Sequence, residues 1–472
     1  MKALKLMTAP AALLIAGCTL IPEYHRPDPA VATEYATPAR KEASGAARRS
    51  AAEVGWRDFY TDPRLQKLIA LALENNRDLR VTVLNIEAAR AQYRIERAAL
   101  LPSVSASASG SLQRLPADVS GTGQSGVLKT YSVGAVASYE LDLFGRVRSL
   151  TKEALQTYAA TEEARKAAQI SLIAELATAW LTLQADHELK ALSADTLSNQ
   201  LAALKIVESG FRNGTSSLLD LRQSETSVQA AEVNVAQSER QVRKDINALT
   251  LLVGAPLSID LVSSEPLAGV RLDENLPAAL PSDLLVRRPD IMAAEHRLIA
   301  ANANIGAARA AFFPRIALTG GGGTASASLS GLFDPGSAAW SFGPSVSMPI
   351  FDYGRNSANL DVSKVNRDIA IATYQKAVQT AFREVSDALD GRATWGRQEL
   401  AQRHLVEASQ SAYRLSDSRY RQGIDGHLSV LVNQRSLYDA EQTLVKVKLA
   451  RMVNTVDLYR ALGGGWRERA VE

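Results

Sequence analysis

Beyond its first seventeen residues the chain has no run of 18 consecutive apolar residues, which excludes a helical membrane span. Cysteine occurs once, at Cys18, so no intramolecular disulfide is available. Aromatic residues are only 6% of the chain, and the charges nearly cancel, leaving a formal net charge of +3 over 472 residues. No large field of one sign therefore points to nucleic acid. The five histidines (His25, His187, His296, His404 and His427) are scattered, with neither an i, i+4 pair nor an HExxH, the spacings that put two imidazoles on one metal. A Gly-x-Ser-x-Gly elbow is missing, and the run Gly320 to Gly323 is not followed by the Lys-Ser/Thr of a phosphate loop. These absences predict a chain that is not an enzyme and binds no cofactor. A chain of this kind that crosses a membrane must do so as a closed barrel, the remaining structure that satisfies every backbone group in lipid.

The N-terminus has a basic start (Lys2, Lys5), a short apolar core (Ala11 to Ile15) and a small-residue end (Ala16, Gly17), the layout of a secretory signal over residues 1–17. Leu14-Ile15-Ala16-Gly17-Cys18 resembles the lipobox of bacterial lipoproteins, in which the cysteine becomes the first mature residue and carries acyl groups. Thr19, where a retained inner-membrane lipoprotein carries Asp, points to the outer membrane.

The chain repeats itself. Tyr139-Glu-Leu-Asp-Leu-Phe-Gly-Arg146 aligns with Met348-Pro-Ile-Phe-Asp-Tyr-Gly-Arg355, Phe211-Arg-Asn-Gly214 with Tyr420-Arg-Gln-Gly423, and Leu252-Val-Gly254 with Ala461-Leu-Gly463. Gly145/Gly354, Gly214/Gly423 and Gly254/Gly463 are each 209 positions apart, and Ala99-Leu-Leu-Pro102 matches Ala311-Phe-Phe-Pro314 upstream. A tandem duplication explains one offset kept across three glycines.

Residues 146–209 contain neither Gly nor Pro, a helix of roughly 95 Å at 1.5 Å per residue. Its apolar residues Ile173, Leu176, Trp180, Leu183, Ala194, Leu197, Leu201 and Leu204 step by threes and fours as a heptad seam, interrupted by His187 and Lys190, which are expected at a water-exposed seam edge. Long helices are also predicted over 215–253, 355–422 and 427–462, with Gly391 and Gly396 as weak points, and shorter ones over 65–101 and 289–311. Before each long helix the period changes to two. Val104, Ala106, Ala108, Gly110 and Leu112 alternate with serines, as do Tyr131 to Leu141 and Trp340 to Ile350 with small or polar residues. This predicts strand hairpins at about 102–143 and 314–351, each strand long enough to cross a bilayer when tilted. A soluble sandwich could show the same alternation. Four strands cannot close a membrane barrel, so other subunits must complete it; two copies would supply eight strands and three would supply twelve, and the pattern does not choose.

The chain resembles the TolC superfamily of outer-membrane efflux proteins, and within it the OprM-type lipoprotein branch. The resemblance is carried by Cys18-Thr-Leu-Ile-Pro-Glu-Tyr24, Gly55-Trp56, Asp62-Pro-Arg-Leu65, Tyr139 to Arg146, Leu284-Leu-Val-Arg-Arg-Pro-Asp290, Ala307 to Pro314 and Leu462-Gly-Gly-Gly-Trp466. It implies a mixed α/β membrane protein: a homotrimer whose 12-stranded β-barrel, four strands per protomer, continues into a coiled-coil tunnel through the periplasm. The implied function is a passive outer-membrane duct for drugs, working with a periplasmic adaptor and an inner-membrane pump of the resistance-nodulation-division type. The chain then divides into a signal (1–17), a lipid-anchored extended segment (18–60), a first repeat (61–254), an equatorial connector (255–283), a second repeat (284–463) and a tail (464–472). The resemblance also implies a gate at the periplasmic tip, with Gly210, Gly214 and Gly423 in the turns, Tyr420 bonding across to Asp220, and Arg421, Asp425 and position 432 nearby. Relatives carry Asp where this chain has Val432 with Asn433 beside it, so their charged selectivity ring is not expected here. Adaptor and pump identity set the cargo, which leaves metal ions or proteins open as alternatives; a non-transporting spacer or adhesin would leave the hairpins without a role.

Overall fold

The structure is a computed structural model that describes residues 19–29, 31–32, 35, 51–121, 123–273, 276 and 281–469. Cys18 and the expected signal lie outside the described residues. In chain order the elements are helices α1 (Trp56–Phe59), α2 (Pro63–Asn75) and α3 (Arg77–Ala98); strands β1 (Ser103–Leu115) and β2 (Gly126–Leu141); and helices α4 (Arg146–Arg212) and α5 (Leu218–Val253). After them come α6 (Ile259–Val262), α7 (Pro281–Arg287), α8 (Pro289–Ala310), β3 (Arg315–Ser326), β4 (Ala338–Ser347), α9 (Arg355–Arg421) and α10 (His427–Ala461). The chain divides into two compact units, 1–28, 85–162 and 293–375 forming one and 29–84, 163–292 and 376–472 the other.

The first unit holds a four-stranded antiparallel sheet in the order β1-β2-β3-β4. Its registers put Val104, Ala137, Gly320 and Phe342 in one row and Ser105, Val136, Gly321 and Ser341 in the next, so the apolar alternations of separate strands share one face. Glycines of β2 and β3 permit close strand approach: a Cβ on Gly134 would lie 2.7 Å from the Gly322 carbonyl oxygen, and one on Gly323 would overlap the Val133 carbonyl. At the foot of the sheet, Glu140 receives two bonds from the Arg146 guanidinium at 2.8 Å each and a third from Arg315 at 2.6 Å. Phe144 stacks on Phe313 at 4.6 Å beside them. The extended segment after Thr19 lies along α8. Asn302 donates to the Pro22 carbonyl at 2.8 Å, Arg309 to that of Leu20 at 3.2 Å, and Tyr24 and Arg26 both donate to Glu295. Gly306 makes room for this segment, since a Cβ there would lie 2.6 Å from Ile21.

In the second unit the first half of the expected seam of α4 is core, with Ile173, Leu176, Trp180 and Leu183 fully buried. Toward the turn the expectation fails, since Ala194 and Leu201 are exposed, Leu197 and Leu204 are half-buried, and Ser193, Gln200 and Val207 are the buried positions instead. His187 is half-buried with a backbone partner, which corrects the water-exposed reading there, whereas the Lys190 side chain is 42% exposed, as expected of a seam edge. The imidazole Nε2 of His187 lies 3.0 Å from the Val262 carbonyl and Lys190 3.7 Å from Glu239. Phe59 stacks on Tyr459, whose hydroxyl donates to the Val54 carbonyl at 2.6 Å, fastening the N-terminal part of this unit to α10. Gly391 does not weaken α9, which runs unbroken through it; the missing side chain lets Asn454 approach and donate to the Ala388 carbonyl at 3.0 Å. The helix expected over 65–101 is two helices. Asn76 is extended and caps α3 by accepting from the Leu79 amide at 2.8 Å, while its own amide donates to the Leu252 carbonyl.

Candidate gate at the two helix-hairpin tips

Each pair of long helices in the second unit is joined by the same turn, built twice. Gly214 and Gly423 adopt φ of 73° and 71°, the left-handed region where a side chain is strained. Their amides donate to Phe211 and Tyr420 carbonyls, and the next residues, Thr215 and Ile424, donate to Gly210 and Arg419. Gly210 brings the turn close in another way, since a Cβ there would meet the Ser216 side chain.

The two tips are secured differently. The first carries a capping box: the Asp220 amide donates to Ser217 Oγ at 3.1 Å, and Asp220 Oδ2 accepts from the Ser217 amide at 3.0 Å and its hydroxyl at 2.7 Å. These bonds hold the Asp220 carboxyl below the usual carboxylate range. In the second tip Gly426 occupies the position of Ser217, so no side-chain cap is possible. A bidentate ion pair spans that turn instead, Arg419 donating to Asp425 at 2.6 and 3.0 Å. Arg421 is committed to Asp417 at 2.9 Å on its own helix. Val432 is 53% exposed on α10, and Asn433 donates back to the Ser429 carbonyl.

Within the chain, Asp220 and Tyr420 meet around His427 and are not bonded to each other. The Tyr420 ring lies 4.9 Å from the His427 ring at a 50° tilt, and His427 is close enough to Asp220 for each charge to act on the other. His427 is 4% exposed, and its Nδ1 has no partner among the described residues. Ser217, Arg419 and His427 are tip residues that the family resemblance does not single out. The Ser217-x-x-Asp220 spacing carries a local capping signal; the burial of His427 depends on contacts across the turn and has none.

Burial pushes the His427 imidazole below its ordinary pKa, with Asp220 partly opposing the shift. The groups facing it are Asp220 from α5 and Tyr420 from α9; Asp425 is held by Arg419. Because the unfolded imidazole takes up its proton first, local stability is lost as pH falls below about 6.5. Amide exchange in the first turn of α10 should therefore quicken between pH 7 and pH 5.5 beyond its intrinsic chemical dependence, and His427→Leu, the residue type at the matching Leu218, should remove that excess. An unchanged pH response in the variant would locate the titration elsewhere.

The model of the outer membrane efflux protein family matches residues 68–255 and again 280–464, once for each repeat. The chain belongs to the outer membrane efflux protein family. The toluene efflux pump outer membrane protein TtgC of Pseudomonas putida is 48% identical over 465 residues, covering 98% of this chain and 96% of TtgC. Outer membrane protein OprJ of Pseudomonas aeruginosa is 44% identical over 461 residues, 97% and 95% of the two chains. Among solved structures, the open-state MtrE outer membrane channel of Neisseria gonorrhoeae superposes with a TM-score of 0.85 at 42% identity, over 96% of this chain and all of MtrE. The fold is that of the TolC-like outer-membrane channels, in which three copies contribute four strands each to a barrel continued by a helical tunnel.

Proposed function

We propose that the chain is the outer-membrane exit duct of a tripartite drug efflux pump in a Gram-negative cell, conducting cargo passively from an inner-membrane pump and a periplasmic adaptor. The observation that carries this is the join between sheet and helix: each repeat roots a bilayer-length hairpin directly on a 67-residue helix, α4 or α9. Such a unit makes a conduit and offers no chemistry to a substrate. The relative TtgC is named for toluene efflux, so drugs and small apolar solutes are the cargo proposed here. Expression in a susceptible host lacking its own channel, together with the cognate adaptor and pump, should restore drug resistance. Unrestored resistance with correctly inserted protein would refute the assignment.

Cys18 carries the lipid in this reading. Leu20 is tied to Arg309 at the end of α8, only a few residues before β3, which puts the N-terminal segment beside the foot of the sheet. A palmitate-labelled band should appear for the native protein and vanish in Cys18→Ser, with barrel insertion retained because strand closure supplies most of the attachment. An unmodified Cys18 with the signal still attached would contradict it.

Val432 sets ion preference by what it lacks. Three carboxylates in a narrow, poorly hydrated ring attract cations. Reversal potentials in a salt gradient should therefore shift toward cation selectivity in Val432→Asp, and an unshifted value would assign selectivity to another ring, with Asp425 the next candidate.

A further inference from the structure

The two hairpins are copies of each other down to their registers. β1 and β2 pair so that the two residue numbers sum to 241 (Ser103↔Ser138), and β3 and β4 so that they sum to 662 (Arg315↔Ser347). The difference, 662 − 241 = 421, is 209 + 212, the two offsets by which Gly145 repeats as Gly354 and Pro102 as Pro314. β4 is therefore the counterpart of β2 at offset 209, and β1 that of β3 at offset 212. Within the chain, the counterparts β2 and β3 pair with each other at a sum of 457 (Leu141↔Ile316).

That equivalence leaves one junction to be made, between β4 of one copy and β1 of the next. β2 pairs with β1 only as far as Ser138, yet continues as strand to Leu141 because β3 holds Tyr139, Glu140 and Leu141. β4 stops at Ser347, the counterpart of Ser138, and the counterparts of the three held residues, Met348, Pro349 and Ile350, are not in a strand. The side chains follow suit. Phe144 stacks on Phe313, whereas its counterpart Tyr353 is 92% exposed with φ of 55°, a conformation that a bulky residue rarely adopts unsupported. The counterpart of Phe313 is Leu101, itself 70% exposed.

We infer that β4 of one copy pairs with β1 of the next at a residue sum of 454, joining Ile350 to Val104, Met348 to Ala106 and Val346 to Ala108, and setting Tyr353 against Leu101 of that copy. This rests on the barrel reading above and adds its register. The sum follows from 457 + 209 − 212. It also satisfies a condition that did not enter its derivation: an even sum keeps Val104, Ala106 and Ala108 on the same face as Phe342 and Val346, so the apolar surface continues across the junction. An odd sum would turn the β1 serines to that face. The charges at this junction differ from those inside the chain. Pro349 replaces Glu140 and Ser103 replaces Arg315, leaving Arg355 as the counterpart of Arg146 without that acid. The closing junction is thus held by backbone pairing and apolar packing, where the internal one adds an ion cluster.

Paired cysteines test it in a Cys18→Ala background, where no other thiol exists. Oxidised Val104→Cys/Ile350→Cys and Ser105→Cys/Pro349→Cys, which sample both kinds of antiparallel pair, should give covalently linked copies on a denaturing gel. Ala106→Cys/Ile350→Cys and Pro102→Cys/Ile350→Cys, shifted by two residues either way, should link several-fold less. Preferential linking of a shifted pair in a protein that still runs as a trimer overturns the register and leaves the barrel reading intact. Failure of every pair in a trimeric protein overturns the β4–β1 junction, and a folded detergent-soluble monomer overturns the barrel reading itself.

Discussion

Arg288→Ala should cost about 3–5 kcal/mol of stability, the largest effect expected of any single substitution here, and should remove the trimer from cells. Arg288 is 7% exposed. Its guanidinium grips Asp290 with two bonds at 3.0 and 2.6 Å and gives two more at 2.9 Å to Glu384 and the Ala461 carbonyl. It thereby joins the start of α8 to α9 and to the last carbonyl of α10. Alanine would leave Glu384 half-buried without its cation and the Ala461 carbonyl without its donor. Lysine keeps the charge but loses the fork, so Arg288→Lys should fall between the two. Removing the partner charge as well should recover part of the loss, making Arg288→Met/Glu384→Met more stable than Arg288→Met alone. Denaturant melts of the purified variants decide this, and a native-like Arg288→Ala would show that the network is dispensable.

Asp220→Ala should open the tip. Both Ser217 bonds fall on Asp220 Oδ2; we propose that Oδ1 accepts from the Tyr420 hydroxyl across the tip in the closed trimer. A hydroxyl on a carboxylate is worth roughly 1.5–3 kcal/mol, and threefold symmetry repeats it, so losing all three bonds shifts a closed–open equilibrium by several kcal/mol. Tyr420→Phe removes that bond but keeps the ring on His427. Asp220→Ala removes the capping box as well, about 1 kcal/mol more per protomer. Both variants should raise single-channel conductance and make cells leakier to vancomycin, Asp220→Ala the more strongly, and the double variant should exceed Asp220→Ala only slightly because the two residues share one bond. Native conductance in all three would show that Asp220 serves its own helix alone, and the closing contact would then be sought at Arg419 and Asp425.

The parts of this fold that were legible in the sequence are those written locally. Alternation in Val104 to Leu112 and Tyr131 to Leu141 announced strands, because period two is a property of one strand, while the face they share is set by the registers between them. The long helices were visible as stretches free of Gly and Pro, to within three residues at either end. The break at Asn76 was not, since its side chain is held by Leu252, 176 positions away. The same limit applies at the tips. Gly214 and Gly423 declared their turns through the repeat, and Arg419 and Asp425 lie only six positions apart across one of them, while the approach of Asp220 to His427 depends on two hairpins brought together only by folding. Arg288 lay in a motif that could be recognised, Leu284 to Asp290, but the reason for the motif, a guanidinium serving three elements at once, appears only when α9 and α10 are beside it.

We propose that this chain forms a conduit closed at its tips. Planar-bilayer recording of the purified protein tests it most directly: the native trimer should give small, discrete conductance steps that become severalfold larger in Asp220→Ala. A trimer that inserts into the bilayer and passes no current in either form would contradict it.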